Sequence, residues 1–452
     1  MNPRSIAKPR PGIQGNKKVI LGWVMYDWSN SVFQLTITTA IFPIYFVAVT
    51  SAGGSQTVRF FGAEVINTVL YSWTIASAFL LVAVLSPLLS SMADYTGRRK
   101  TFMKVFTWIG ALGCAGLFFF NKNTVELGVI AFGLGTFGYA GSIVFYNSFL
   151  PVIAKPEDHD RISARGYSMG YLGGVILLLF NLAMIMKPGW FGIPADSNLP
   201  PRISFLTVGL WWIGFSQITF LRLPKYTYKK RQSHENVISN GYKELQNVYM
   251  QIRKSKTLTL YLICYFFFMM GLLSVMYMAT NFGKKVVQLD DTVLIPTLLL
   301  IQLVGMFGAY SFAWLSNRIG NLQALMISLA TWTLICVGAY FITNAAGFIT
   351  AAFFIGIVMG GTQSLARSTY SKMLPETTDH TSFFSFFDVM EKLAVAGGTF
   401  SFGLIEAITG NMRASVVAIA VFFIIGLGII LTILNISKKP KGSRRSIVDS
   451  RD

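Results

Sequence analysis

Charge is what this chain is shortest of. Asp, Glu, Lys and Arg supply 13% of its 452 residues, about half of what a soluble domain carries. Water is therefore not the solvent that shaped it. Cysteine and histidine are scarce too, at three each. Cys114, Cys264 and Cys336 all fall inside apolar runs. They show neither the pairing of a disulfide framework nor the spacing of a metal site, so they read as small core residues. His159, His234 and His380 sit in polar connections, which speaks against a histidine-based metal or catalytic centre. No Gly-x-x-x-x-Gly-Lys-Ser/Thr sequence occurs, which excludes ATP hydrolysis by a P-loop in this chain. No cofactor is expected.

What is present is apolar length. Hydrophobic residues make up 53% and aromatic residues 14%. Val65 to Ala93 runs 29 residues without a charge, well beyond the roughly 20 apolar residues that cross a bilayer. The run stops at Asp94-Tyr-Thr-Gly-Arg-Arg-Lys100, where an acid, a turn glycine and three cations arrive together. Read in this way, the chain divides into twelve spans, at about 22–49, 65–92, 102–120, 127–150, 166–186 and 203–221, then 257–282, 292–316, 321–342, 346–371, 383–408 and 414–437. The stretch 319–366 carries no charge, and Thr343-Asn-Ala-Ala-Gly347 is the turn that divides it. The fold class that follows is an all-α membrane protein with twelve transmembrane helices. The basic residues before the first span resemble the start of a signal peptide, but the apolar run is too long and lacks a small-residue cleavage pattern, so a retained first span is expected.

Of the 38 Lys and Arg, 29 fall on the side of the termini and 7 on the other, with Lys104 and Lys392 inside spans. By the positive-inside rule both termini are cytoplasmic. The same distribution accounts for the net charge of +19 without nucleic acid. The expected organisation is a tail at 1–21, a six-helix bundle at 22–221, a cytoplasmic linker at 222–256, a second six-helix bundle at 257–437 and a basic tail at 438–452. The linker opens with the basic stretch Arg222 to Arg231. Further on, Tyr242, Leu245, Val248, Tyr249 and Ile252 recur at helical spacing, with Lys243, Glu244, Asn247 and Gln251 opposite. This predicts an amphipathic helix lying against the membrane or the bundle.

The two halves resemble each other. Leu150-Pro151 recurs as Leu374-Pro375 and Gly173-Gly174 as Gly397-Gly398, both 224 residues later, while Asp94-Tyr-Thr-Gly97 recurs as Asn317-Arg-Ile-Gly320 after 223. Two pseudo-repeats of six helices in parallel orientation are the design of many alternating-access transporters. Ser90 to Lys100 resembles the signature between spans 2 and 3 of the major facilitator superfamily, with Ser90 in place of its usual glycine and Met92 where leucine is common. Tyr26-Asp-Trp-Ser-Asn-Ser31, Phe42-Pro43, Phe145-Tyr-Asn-Ser-Phe-Leu-Pro151, Ser163-Ala-Arg-Gly166, Gly170-Tyr-Leu-Gly-Gly174 and Gly361-Thr-Gln-Ser-Leu-Ala-Arg-Ser368 narrow the match. Together they resemble the vacuole-effluxer family, over nearly the whole chain. Fungal members of that family are linked to amino-acid release from the vacuole; bacterial members are mostly of unknown substrate.

Ionisable groups inside spans are costly and mark functional positions. Asp27 lies on span 1 with Ser31, Gln34 and Thr38 at +4, +7 and +11, on one helical face. The resemblance implies that spans 1, 4, 7 and 10 line a central cavity, so Asp27 is the candidate for binding a substrate amine or a coupling proton, an interface carboxylate being the alternative. Tyr139, Tyr146 and Asn147 on span 4 and Tyr261, Tyr265 and Asn281 on span 7 are candidate hydrogen-bonding groups, Asn147 and Tyr265 foremost. Gln363 and Arg367, four apart on span 10, would place a guanidinium either on a substrate carboxylate or at the membrane surface. On span 11, Asp388 and Lys392 are spaced as an intramembrane ion pair. That leaves Glu391 without a partner on its own helix, free to titrate a proton or to pair with Lys104 or Arg165. By resemblance, Asp94 with Gly97, Arg98 and Arg99 is a cytoplasmic gate facing the positive end of span 11. The second copy has Asn317 for the acid, so a charge-based gate there is expected to be weaker.

The expected function is secondary transport of a small polar solute by alternating access, with amino-acid efflux the leading reading and protons the candidate coupling ion. The partners are then the solute, protons and the lipid bilayer, in a monomer of a bacterial cytoplasmic membrane. Two alternatives stay open. One is an enzyme acting on a lipid-linked substrate, for which Glu157-Asp158-His159-Asp160 is the sole comparable cluster. The other is a non-transporting sensor that kept the fold.

Overall fold

The computed structural model describes residues 12–51, 57–194, 198–225, 237–409 and 411–438. The tail residues 1–11 and 439–452 and the basic stretch 226–236 lie outside it. Helices dominate because a backbone in hydrocarbon must satisfy its N–H and C=O groups within its own segment. In chain order they are α1 (Lys17–Val32), α2 (Phe42–Thr50), α3 (Asn67–Thr96), α4 (Arg99–Gly116), α5 (Val125–Asn147), the single turn α6 (Leu150–Ile153), α7 (His159–Met186) and α8 (Leu199–Arg222). There follow α9 (Val237–Lys254), α10 (Lys256–Lys285), α11 (Asp291–Ile319), α12 (Asn321–Gly338), α13 (Ala345–Met373), α14 (His380–Thr409) and α15 (Met412–Lys438).

Among the described residues, eleven helical stretches are long and apolar enough to cross a membrane. The twelfth crossing is α14, whose 30 residues carry Asp388, Glu391 and Lys392 near the middle. α1 and α2 form one 34-residue crossing, Lys17–Thr50, joined by a π-helical stretch, Phe33–Ile41. Pro43 accounts for that stretch, because in a regular α-helix its ring would press on the Thr39 carbonyl, and a wider turn relieves the clash. The single helical face expected for Asp27, Ser31, Gln34 and Thr38 is therefore broken partway. The turn expected at 343–347 is present, with Asn344 capping α13 by accepting from the Gly347 amide at 2.8 Å.

One element departs from the all-helical expectation. β1 (Thr57–Phe60) pairs antiparallel with β2 (Ala63–Ile66). Phe61 and Gly62 both take positive φ, 45° and 86°, as a two-residue hairpin turn requires. Each strand is four residues long and carries a charge, Arg59 or Glu64, too short a pattern to be read from composition alone.

The buried apolar side chains form separate cores. One joins residues from Val248 to Ile433; two others lie between Ile13 and Leu223. Among the described residues, the small trio Ala164, Ala309 and Ala313 forms a buried apolar cluster drawn from both sides. α9 lies across the end of the bundle where α1 begins, hereafter the near face, and packs mainly on α3. Its buried face differs from the one expected. Val248, Ile252 and Glu244 are buried, while Tyr242 stays exposed, because the neighbour is the polar end of α3, where Asn240 donates to the Tyr95 hydroxyl at 3.0 Å.

Candidate functional site

The stretch Tyr26 to Ser31 is a hub. On a helix these six residues point in all directions, and each finds a different neighbour. The Tyr26 hydroxyl meets Thr107 of α4 at 2.7 Å, Trp28 stacks on Trp211 of α8, and Ser29 meets Ser216 of α8 at 3.0 Å. Ser31 lies against α7, where a Cβ added at Gly170 would sit 2.4 Å from its Oγ. Asp27 faces α5, α7 and α13, and there the polar centre begins.

Asp27 Oδ2 accepts from the Tyr146 hydroxyl at 2.6 Å and from both terminal nitrogens of Arg367, Nη1 at 3.2 Å and Nη2 at 3.3 Å. The rest of the guanidinium is also engaged. Nε donates to Ser163 Oγ at 2.9 Å, Nη2 to the Ser163 carbonyl at 2.9 Å and Nη1 to Asn147 Oδ1 at 3.4 Å. Ser163 in turn donates to the Ser364 carbonyl at 2.8 Å. The rings of Tyr167, Trp23 and Tyr146 lie 4.2, 4.7 and 5.5 Å from the guanidinium carbon. A planar delocalised cation is the group that such a slot of rings and acceptors suits. Gly166 makes room for the pair, since a Cβ there would come within 2.4 Å of Asp27 Oδ2 and 2.9 Å of Arg367 Nη2. Arg367 is 2% exposed, so every one of these contacts replaces water.

A second cluster lies on α14. Lys392 Nζ donates to Asp388 Oδ1 at 2.8 Å and to Glu391 Oε1 at 3.4 Å. Tyr265 of α10 donates to Glu391 Oε2 at 2.8 Å and stacks on Phe387 at 3.9 Å. Lys392 also lies 5.4 Å from the ring of Phe79 on α3. Tyr167 stands between the two clusters, in electrostatic reach of Asp27, Arg367, Glu391 and Lys392. Beside it the Tyr171 hydroxyl donates to Gln363 Oε1 at 2.7 Å, across α7 and α13.

Towards the near face two locks tie helices that are far apart in sequence. In the first, Asp94 at the end of α3 accepts from Arg99 Nε at 2.8 Å, from the Thr381 and Ser382 amides at 3.3 and 2.7 Å, and from Ser382 Oγ at 2.9 Å. A carboxylate thus sits on the N-terminal turn of α14, where the helix leaves amides free and its dipole is positive. Arg99 also donates to the Thr378 carbonyl. Gly97 ends α3 at φ 67°, a left-handed conformation that a residue with a Cβ adopts at a cost.

In the second lock, Asp160 of α7 accepts from Lys372 Nζ of α13 at 2.6 Å, from Ser316 Oγ of α11 at 2.7 Å, and from Asn321 Nδ2 of α12 at 2.7 Å. Lys372 donates as well to Asn321 Oδ1 at 2.9 Å. The expected weakening of this side is therefore corrected. The acid missing at Asn317 is supplied by Asp160, from the opposite partner helix.

Other sequence-derived assignments change with the geometry. Arg98 is exposed on the near face while Arg99 is the buried arginine of the first lock. Arg367 is saturated by Asp27, Asn147 and Ser163 and has no donor pair left for a substrate carboxylate. Glu391 shares Lys392 on its own helix and meets Tyr265, not Lys104 or Arg165. Tyr261 donates to the Ala366 carbonyl at 2.9 Å. Gln34 is half-buried in the π-helical stretch, and the Asn281 side chain lies outside the described residues. Asp160 belongs to a lock, which takes it out of the acidic loop cluster that an enzyme would need. Tyr167 was not among the expected site residues, and Asp160 was expected only within the acidic cluster of the enzyme alternative. The sole signal for Tyr167 is its place one residue after Ser163-Ala-Arg-Gly166.

The motifs that converge here also carry the chain's relationships. The family model described as "Vacuole effluxer Atg22 like" matches residues 15–442. The uncharacterized MFS-type transporter YxiO of Bacillus subtilis is 27% identical over 408 residues, 90% of this chain and 93% of that protein. Autophagy-related protein 22 of Saccharomyces cerevisiae is 23% identical over 511 residues, covering 94% and 93%. Among solved structures, FucP in the outward conformation superposes with a TM-score of 0.66 at 13% identity, over 92% of this chain and 98% of that one. A bacterial homologue of the iron transporter ferroportin in an outward-facing state gives 0.65 at 12%, over 92% and 98%. At such identities the structural likeness speaks for the fold alone, which is that of the major facilitator transporters. With the family model spanning nearly the whole chain, this protein belongs to the Atg22-like vacuole effluxer family and is a multi-pass MFS-type membrane transporter.

Proposed function

We propose that this protein exports a small polar solute, with amino acids the leading class, by alternating access of two six-helix bundles, coupled to protons. The bundles are 22–221 and 257–437, joined by the linker 222–256 and flanked by tails at 1–21 and 438–452. In this reading the near face is cytoplasmic, in a bacterial inner membrane, and the protein works as a monomer. The observation that carries the proposal is the layering of the polar groups. Two locks close the near face, and inside them lies a polar region, hereafter the chamber, whose ionisable groups come from both bundles: Asp27 from the first, Arg367, Asp388, Glu391 and Lys392 from the second. A sealed end beneath a two-sided polar chamber is what an outward-facing state needs. The family name supports efflux from a compartment, amino acids are what the resemblance to its fungal members implies, and the saturation of Arg367 supports a role in holding the bundles together.

Counterflow in proteoliposomes tests the proposal. Labelled amino acids are offered to vesicles preloaded with the same unlabelled solute, with and without an imposed pH gradient. Accumulation of one class, enhanced by the gradient, is expected. Folded protein that moves no amino acid would overturn the substrate class, and movement indifferent to the gradient would overturn proton coupling.

A further inference from the structure

We propose that Asp388 holds the chamber's one exchangeable proton on Oδ2, and that this proton gives way when a positively charged group of the solute binds Glu391. The inference rests on the transport reading and specifies its chemistry. Its first support is a charge count. Among the described residues the chamber holds three carboxylates, Asp27, Asp388 and Glu391, against two cations, Arg367 and Lys392, one negative charge too many for a dry site. Its second support is geometry. The Asp388 side chain is 3% exposed; Oδ1 accepts from Lys392 at 2.8 Å, and Oδ2 is buried with no partner. A buried anionic oxygen that has lost its water and gained nothing is costly, and a proton removes the cost.

Glu391 differs on both counts. Tyr265 and Lys392 supply its two oxygens, and its side chain is 31% exposed, so both oxygens are partnered and within reach of water. The titratable and charged groups facing Asp388 are Glu391 and Lys392 on its own helix and Tyr265 on α10. Across the chamber α7 presents Tyr167 to Glu391 and Lys392. α3 presents the Phe79 ring to Lys392, and its Asp94 is engaged in the first lock. α5 and α15 carry charges only near their ends, Glu126, Arg413 and Lys438, and α9, on the near face, meets α14 through Tyr249 and Phe386.

The exchange follows from the weakest contact in the cluster. Lys392 holds Glu391 at 3.4 Å but Asp388 at 2.8 Å. An arriving ammonium takes Glu391, and Lys392 turns wholly to Asp388. The Asp388 O–H bond then breaks, with its electron pair left on Oδ2 and the proton passing to water. Before the step the cluster holds Glu391 and Lys392 ionised and Asp388 neutral. Afterwards two carboxylates face two ammonium groups. One ammonium group enters the cluster for each proton that leaves, so the exchange is electroneutral for a solute of net charge +1, such as lysine, and moves one net charge for a zwitterion.

Infrared spectroscopy of the wild type, Asp388→Asn, Glu391→Gln and Tyr265→Phe tests this without needing an identified solute. At neutral pH a protonated-carboxyl carbonyl band is expected in the wild type and in neither Asp388→Asn nor Glu391→Gln, since the neutral amide leaves two carboxylates against two cations. Its frequency should be unmoved in Tyr265→Phe, which removes a hydrogen bond from Glu391 and none from Asp388. Adding L-lysine, or n-butylamine as a probe without a carboxylate, should bleach the band and release one proton per chain to a dye in weak buffer, with no response in Glu391→Gln. If Asp388→Asn fails to fold, the wild-type band and its response to amine still decide the matter. Absence of the band from the wild type, its persistence in Asp388→Asn, its shift in Tyr265→Phe, or indifference to amines would overturn the proposal. Counterflow that proceeds without the band removes the Asp388 proton and leaves transport standing; a band that bleaches in protein inactive in counterflow removes transport and leaves the proton.

Discussion

Replacing Asp27 by Asn tests what the central ion pair does. The substitution keeps the shape of the side chain and an oxygen for the Tyr146 hydroxyl, and removes the negative charge beside Arg367. Breaking a buried pair from one side costs about 3–5 kcal/mol, because the other charge is left uncompensated. Here Arg367 keeps Ser163 Oγ, the Ser163 carbonyl, Asn147 and three ring faces, which argues for the lower figure. Asp27 and Arg367 lie 340 residues apart, on helices of different cores. The penalty therefore falls on the state in which those helices meet, and lapses when the near face opens and water reaches the guanidinium. A shift of about 3 kcal/mol corresponds to roughly a hundredfold in the equilibrium between closed and open near faces. Ser371→Cys is a suitable reporter. It lies one turn beyond Arg367, is buried, and its Oγ has no partner to lose, while the native cysteines are all buried. Its labelling by a charged maleimide from the near side should rise by about two orders of magnitude in the Asp27→Asn background. An unchanged labelling rate in folded protein would refute the idea that the pair holds the near face shut.

The two locks predict parallel behaviour. Asp94→Asn and Asp160→Asn should each slow counterflow while leaving expression intact, and exchanging charges in the double variant Asp160→Lys/Lys372→Asp should restore part of the lost rate; wild-type rates in both single variants would dismiss the locks. Packing between α11 and α13 gives a stability test. A Cβ at Gly360 would come 2.0 Å from the Gly305 carbonyl oxygen, whereas one at Gly338 meets nothing within 4 Å. Gly360→Ala should lower the melting temperature in detergent, since overpacking costs about 1–3 kcal/mol or more. Gly338→Ala, at a helix end, should hold or raise it, alanine being favoured by roughly 0.5–1 kcal/mol.

How far the amino-acid sequence alone carries depends on range. Crossing a bilayer needs a long apolar helix whatever surrounds it, so the spans, the turn at Asn344 and the Lys and Arg asymmetry can be read residue by residue. Asp388 and Lys392 are four apart on one helix, where the local geometry itself brings side chains together. The π-helical stretch before Pro43 and the hairpin at Phe61-Gly62 are local as well, but each is one of several backbone solutions that the same residues allow. Partners across helices are a different matter. A spacing rule names the face on which Asp27 stands and is silent on whether the neighbour is solute, lipid or Arg367, and the same holds for Asp160 with Lys372, 212 residues away. Hydrophobicity and helical period thus determined that this chain is a twelve-span bundle with a few charges inside it. Only tertiary packing decided which of those charges hold each other, because that depends on which helices are neighbours and at what depth. It satisfied every group on Arg367 and left one oxygen of Asp388 bare.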